Sequence, residues 1–250
     1  TMAELHANIS IGHENDWNTL KGRIITAAQC NSDAIVISKA TPEITIPDNK
    51  KYVSINSKWG HLPYIDVAKK SEVDELTVRK INDLTEEIGI PIIWSITDTE
   101  AGAWVLENTD CSHIKMHFDA RNNFDLWVFC EQRFKNINVP FGSILETGKP
   151  KIWKTRENVA VYHAAYKMPS TVEDLGLDKL DECREYSNTI GYEGRSPDIY
   201  PDCAVELKNV DFIEKYLGDE AGDLGEAVLT PERFYDMFIN LNQIEIANGK

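Results

Sequence analysis

EVDELTVRKINDLTEEIGIPIIWSITDTEAGAWVLEN, residues 72–108, decides the fold. The segment 72–89 carries apolar residues at helical spacing and closes on Gly89, the residue type that most readily ends a helix in the left-handed conformation. PIIWSIT (91–97) is a short apolar run set between turn signals, which reads as a buried strand. TEAGAWVLEN (99–108) returns to helical spacing. Helix, strand and helix follow one another with almost no chain between them.

The same rhythm continues in both directions. Towards the amino terminus, AELHANI (3–9) reads as a strand, DWNTLKGRIITAAQC (16–30) as a helix and DAIVISKA (33–40) as a strand, followed by a loop with Pro47, Gly60 and Pro63. Towards the carboxyl terminus, strands are expected at 113–119, 141–147, 158–165, 189–194 and 211–217. Helices are expected at 123–136, 171–187, 201–209 and 230–249, the last with Thr230 as N-cap and Pro231 in its first turn. Strands alternating with helices imply parallel pairing through crossover helices. Eight such units in 250 residues imply the α/β class and one (β/α)8 TIM-barrel domain over 1–250. An open doubly wound sheet is the alternative, although no G-x-G-x-x-G turn follows the first strand. GKPKIWKTRE (148–157) is too short for a full crossover helix, so the helix after strand five is expected to be shortened or missing.

Composition narrows the function. The formal net charge of −15 argues against nucleic-acid or anionic-membrane partners, since both are attracted by positive charge. A local basic pocket for a small anion stays compatible with that total. No apolar stretch reaches membrane-spanning length, and the start TMAELHANIS lacks the features of a secretory signal. The five cysteines form no C-x-x-C pair and their number is odd, so buried free thiols and a cytoplasmic location are expected.

In a barrel of this kind chemistry gathers at the carboxyl ends of the strands. The candidates there include Glu4, Asn8, Lys39, Lys115, Glu146, Thr147, His163, Glu193, Arg195, Glu214 and Tyr216. Glu193 and Arg195 lie two apart on one strand and therefore share a face. They are expected to pair with each other, or with Lys115 and Glu146. Such a cluster is either structural or a rebuilt active site. His163 reads as a hydrogen-bonded core histidine. Spacing alone supports no metal cluster.

Several segments, taken in order, resemble the N-acetylneuraminate (sialic acid) synthase family. AELHAN is similar to its opening strand Ala/Cys-Glu-Ile-Gly-x-Asn, and SDAIVISKATPE to its second. HIKMHFDARNNFDL resembles Tyr-Lys-Ile-x-Ser-x-Glu-x-Asn-Asn-x-x-Leu, and SILETG resembles Ile-Ile-Leu-Ser-Thr-Gly. VYHAAYKMPSTVEDLGL, TIGYEGRS, DFIEKYL and LTPERF are similar to the family's later motifs. The resemblance implies a (β/α)8 barrel of nonulosonic acid biosynthesis. The implied reaction condenses phosphoenolpyruvate with an N-acyl amino sugar, with the help of a divalent metal. It further implies Glu4 and Lys115 as catalytic residues, with Asn8, Asn122 and Thr147 around the substrate; Lys39, Glu193 and Arg195 join the expected substrate-binding residues from their places at the strand ends. It implies a homodimer as well.

The chain departs from the pattern at telling positions. The family's two metal histidines fall at Arg195 and Tyr216, so no metal ligand is assigned and no cofactor is expected with certainty. Its phosphate-contacting serines fall at Phe118, Glu146 and Glu193, and its second-strand lysine at Val36. Its Gly-Pro-Asp aspartate falls at Leu224, and with Lys250 the final residue the antifreeze-like C-terminal domain is expected to be absent. Three readings stay open: a divergent synthase binding a sugar or keto acid, a pseudoenzyme acting as a binding or regulatory module, and an unrelated barrel enzyme.

Overall fold

In the computed structural model, which describes residues 2–142, 156–218 and 227–249, eight parallel strands close into a barrel. They are β1 (Glu4–Asn8), β2 (Ala34–Lys39), β5 (Ile92–Ile96), β6 (His113–Met116), β7 (Asn136–Pro140), β8 (Val159–Ala164), β9 (Thr189–Gly194) and β10 (Phe212–Tyr216). Each pairs with its chain neighbour in that order, and β10 pairs back onto β1 to close the ring. Between β2 and the next large helix lies an insertion. It holds α2 (Pro42–Thr45), α3 (Asp48–Lys51), an antiparallel hairpin of β3 (Ser54–Ser57) and β4 (Gly60–Pro63), and α4 (Tyr64–Ser71). The crossover helices are α1 (Trp17–Gln29), α5 (Glu75–Ile88), α6 (Thr99–Asn108), α7 (Phe124–Arg133), α8 (Lys179–Cys183), α9 (Tyr200–Glu206) and α10 (Pro231–Ala247).

Local chemistry explains where the helices begin. Asp16, Asp74, Asp98, Asn123 and Thr230 each accept a hydrogen bond from a backbone N–H in the first turn of α1, α5, α6, α7 and α10. Each cap satisfies one of the donors that a helix start leaves unpaired, a contribution of about 1 kcal/mol. Gly89 ends α5 at φ 79°, a left-handed conformation that glycine adopts without a Cβ clash.

Alternation along the strands separates two environments. Outward residues such as Leu5, Ile35, Trp94, Ile137, Val161 and Ile213 join Leu20, Ile24, Val78, Val105 and Phe234 in the main core between barrel and helices. Each large apolar side chain buried there contributes roughly 1.5–3 kcal/mol. Inward residues form two small apolar clusters, Ala34 with Val36 and Ile93, and Phe118 with Ala160, Tyr162, Ala164 and Phe212. The other inward positions are largely polar. Strand β10 shows both faces: Phe212, Glu214 and Tyr216 point in, while Lys215 points out and pairs with Asp202 of α9 at 2.7 Å, both side chains wholly buried. Gly191 of β9 sits where a Cβ would fall 2.1 Å from the Phe212 ring, so that ring occupies the space a side chain would need.

The architecture matches the expected barrel, with three corrections. Strand five is Asn136–Pro140, not 141–147. The segment 136–140 alternates two inward asparagines with apolar residues, and Pro140 ends it, so it lacks a continuous apolar run. The expected helix over 171–187 is a short 3-10 turn, Val172–Asp174, followed by α8 alone. The loop after β2 contains the hairpin and three short helices. The region expected to lack a crossover helix, 148–157, lies mostly outside the described residues.

Candidate functional site

Strands β1, β6, β9 and β10 send polar side chains into the upper barrel, where they form one closed network. Lys115 of β6 donates from Nζ to Glu193 Oε2 at 2.7 Å and to Glu214 Oε1 at 2.6 Å. Arg195, just beyond β9, donates from Nε to Glu193 Oε1 at 2.6 Å and from a terminal nitrogen to the Ala165 carbonyl at 3.1 Å. The Tyr216 hydroxyl donates to the same Glu193 Oε1 at 3.0 Å. Asn8 of β1 donates from Nδ2 to Glu214 Oε1 at 2.7 Å. Aromatic faces line the cations: the Lys115 ammonium lies 4.6 Å from the Tyr162 ring centroid and the Arg195 guanidinium 4.5 Å from that of Phe118. Tyr162 donates its own hydroxyl to the Met116 carbonyl at 2.8 Å.

Two cations face two carboxylates, so the cluster is neutral overall. Lys115, Glu193 and Glu214 are each only 1% exposed. Burial alone would push the Glu193 carboxyl up, but the charges of Lys115 and then Arg195 outweigh it and hold that carboxyl well below the usual range. Burial, then the charge of Glu193, raises the Tyr216 phenol well above its ordinary value, so it stays protonated and donates. Both Glu193 oxygens are occupied. Glu214 Oε2 has no hydrogen-bond partner and is sealed from solvent.

Of the residues singled out in the sequence, the structure gathers Asn8, Lys115, Glu193 and Arg195. It separates the others. Glu4 begins β1 rather than ending it, and so lies at the opposite, amino-terminal end of the barrel, within 3.2 Å of His6. Lys39 points outward from β2, donates to the Val73 carbonyl at 3.0 Å, pairs with Glu72 at 3.1 Å and lies over Trp104. Asn122 is exposed in the turn after the Phe118–Ala120 helix. Thr147, Glu146 and Leu224 lie outside the described residues. His163 faces outward, and its Nε2 lies 2.7 Å from the Leu175 carbonyl, as a hydrogen-bonded core residue should.

Sequence reasoning placed Glu214 and Tyr216 at a strand end without giving Glu214 a role. Its signal was present: Glu214 is two residues from Tyr216 on one strand, and a carboxylate facing a barrel interior requires a partner. Tyr162, which floors the cluster, carried no such signal. The cysteines among the described residues are free thiols, as expected. Among those residues no helix is long and apolar enough to cross a membrane.

A second feature lies on the same face. His13 is buried beside a cleft of about 450 Å³ lined also by Ser10, Ser38 and Glu72. Its Nδ1 accepts from the Asn15 backbone N–H at 3.0 Å. Burial, and then the charges of Arg23, Lys58 and Lys39, lower this imidazole to about 4, so it is neutral near pH 7.

Comparison with known proteins agrees with this architecture. A family model described as the NeuB family matches residues 23–250. The N-acetylneuraminic acid (sialic acid) synthetase of Leptospira borgpetersenii superposes with a TM-score of 0.85 at 16% identity, covering 100% of this chain and 86% of that one. A putative spore coat polysaccharide biosynthesis protein E from Chromobacterium violaceum gives 0.82 at 13% identity, over 98% and 76% of the two chains. Its Bacillus subtilis counterpart gives 0.76 at 16%, over 98% and 69%. Identities this low establish a shared fold. No curated protein matches in sequence.

Proposed function

This chain belongs to the NeuB family, and we propose that it serves carbohydrate biosynthesis of the nonulosonic acid kind as a binding or regulatory barrel rather than as a condensing enzyme. Membership removes the unrelated-barrel reading. The observation that carries the proposal is the closed network of Lys115, Glu193, Glu214, Arg195 and Tyr216 at the carboxyl ends of the strands.

The family reaction requires free cations for the phosphate and carboxylate of phosphoenolpyruvate. Here Lys115 and Arg195 are already matched by two carboxylates in a buried setting. A multiply charged anion would have to displace Glu193 and Glu214 or lie against them, and like charges a few ångströms apart repel by about 4 kcal/mol at an effective dielectric of 20. The residues present also do not fit a divalent metal. A charged guanidinium offers no lone pair. The Tyr216 phenol is held protonated and is engaged with Glu193. Among the described residues, no group of three histidine, cysteine or carboxylate side chains could hold a metal ion.

Calorimetric titration with phosphoenolpyruvate, with and without manganese, tests the proposal. The expected result is no saturable heat in either titration. Micromolar binding enhanced by manganese would overturn it and restore the divergent-synthase reading.

A further inference from the structure

The amino-terminal end of the barrel carries a cleft that the family reaction does not use. Its volume is about 540 Å³, within the usual range for small-molecule sites. It is lined by inward residues of six strands, among them Glu4 and His6 of β1, His113 of β6, Asn136 and Asn138 of β7 and Phe212 of β10. Among the described residues, neither lysine nor arginine lines it.

Two buried polar atoms of its lining have no hydrogen-bond partner, and their characters are complementary. The His6 Nε2 lies 3.2 Å from Glu4 Oε2. That carboxyl is lowered, first by the His6 hydrogen bond, so it is ionised and only accepts. In the tautomer that donates from Nε2 to Glu4, Nδ1 is an acceptor without a partner. On β7 the Asn138 side-chain oxygen lies 2.9 Å from His113 Nε2. The Asn138 Nδ2 is left as a donor without a partner. Both residues are more than nine-tenths buried. The His6 ring stacks on Phe212 with centroids 4.9 Å apart, giving the wall a flat apolar face.

The geometry points to a non-catalytic site for an uncharged polyhydroxylated ligand, a neutral sugar or polyol, at the amino-terminal end of the barrel. A hydroxyl both donates and accepts, which answers His6 Nδ1 and Asn138 Nδ2 together. The stacked rings suit the apolar face of a pyranose. The carboxylates of Glu4, Glu157 and Asp211, with neither lysine nor arginine among the described lining residues, disfavour anions. Because chemistry in these barrels sits at the other end, the site recognises and does not transform. The inference is independent of the proposed function, since phosphoenolpyruvate and manganese report only the opposite end.

The test follows the histidine ring nitrogens of the full chain by NMR during titration with methyl α-D-glucopyranoside. Glucose 6-phosphate serves as the anionic probe and glucosamine as the cationic one. Saturable shifts of His6 and His113, with His13 and His163 unmoved and a dissociation constant in the millimolar range, support the site. The phosphate should bind at least tenfold more weakly. His6→Phe, which keeps the stack, and Asn138→Leu should each weaken binding at least tenfold. Absence of saturable shifts at His6 and His113 in the native protein would overturn the inference whatever the variants do. So would tighter binding of the phosphate or of glucosamine, or unaltered binding in both folded variants.

Discussion

Glu193 and Glu214 are register partners on β9 and β10, and one ammonium, that of Lys115, closes on both. Like charges directly opposite on neighbouring strands destabilise a sheet. The pairing therefore depends on the lysine from β6, which lies across the barrel interior. Lys115→Met should cost about 3–5 kcal/mol, because it leaves the buried Glu214 carboxylate without a cation and Glu193 with Arg195 alone. Chemical denaturation measures this. The double variant Lys115→Met with Glu214→Gln should recover part of the loss, and strict additivity of the two changes would show that the pair is not coupled.

Acid should act through His13 before it reaches the central network. An imidazole lowered to about 4 in the folded protein, from 6.5 when unfolded, favours folding in its neutral form. Its contribution is complete above about pH 6.5 and is lost as the pH falls towards 4, where the unfolded chain binds the extra proton. The loss is at most about 3 kcal/mol. Melting curves across this window should slope in the wild type and less steeply in His13→Gln, with His113, His117 and His163, also lowered by burial, supplying the rest. Glu193, held far lower, should keep its contribution through the same window and lose it only in stronger acid.

Gly191→Ala should destabilise by about 1–3 kcal/mol, the usual cost of overpacking, since the new methyl meets the Phe212 ring. Phe212→Leu in the same chain should restore part of the loss. Thermal melts of the two variants decide the matter, and an unchanged melting temperature in Gly191→Ala would show that the ring has room to move.

Reversing three departures from the family pattern should restore a metal site. In Glu193→Ser with Arg195→His and Tyr216→His, Lys115 keeps Glu214 as its partner while two imidazoles replace the guanidinium and the phenol. Manganese should bind this variant at least tenfold more tightly than the parent. Calorimetry would read equal binding if the mapping of these positions were wrong.

The fold was legible wherever strand and helix periods were clean, as in 72–108, and illegible where polar residues face the barrel interior. Asn136 and Asn138 disguised strand five because inward polar positions resemble a helix tail more than a buried strand. Glu193 with Arg195 could be read locally, two residues apart on one face. Their closure by Lys115 and Glu214 could not, since it requires the barrel to bring together residues separated by 78 and 99 positions. Glu4 was misplaced because a run such as 3–9 does not itself announce which of its ends meets the active face.

The alternation of β10 also constrains how the barrel can close. Glu214 meets Lys115 inside while its neighbour Lys215 meets Asp202 outside. A slip of one residue would send the ammonium into the barrel beside Lys115 and Arg195, and would leave the carboxylate against Asp202. Every ion pair on the strand would become a repulsion at once. Electrostatics thus acts as a lock on the last strand: β10 cannot seal the ring one residue out of alignment.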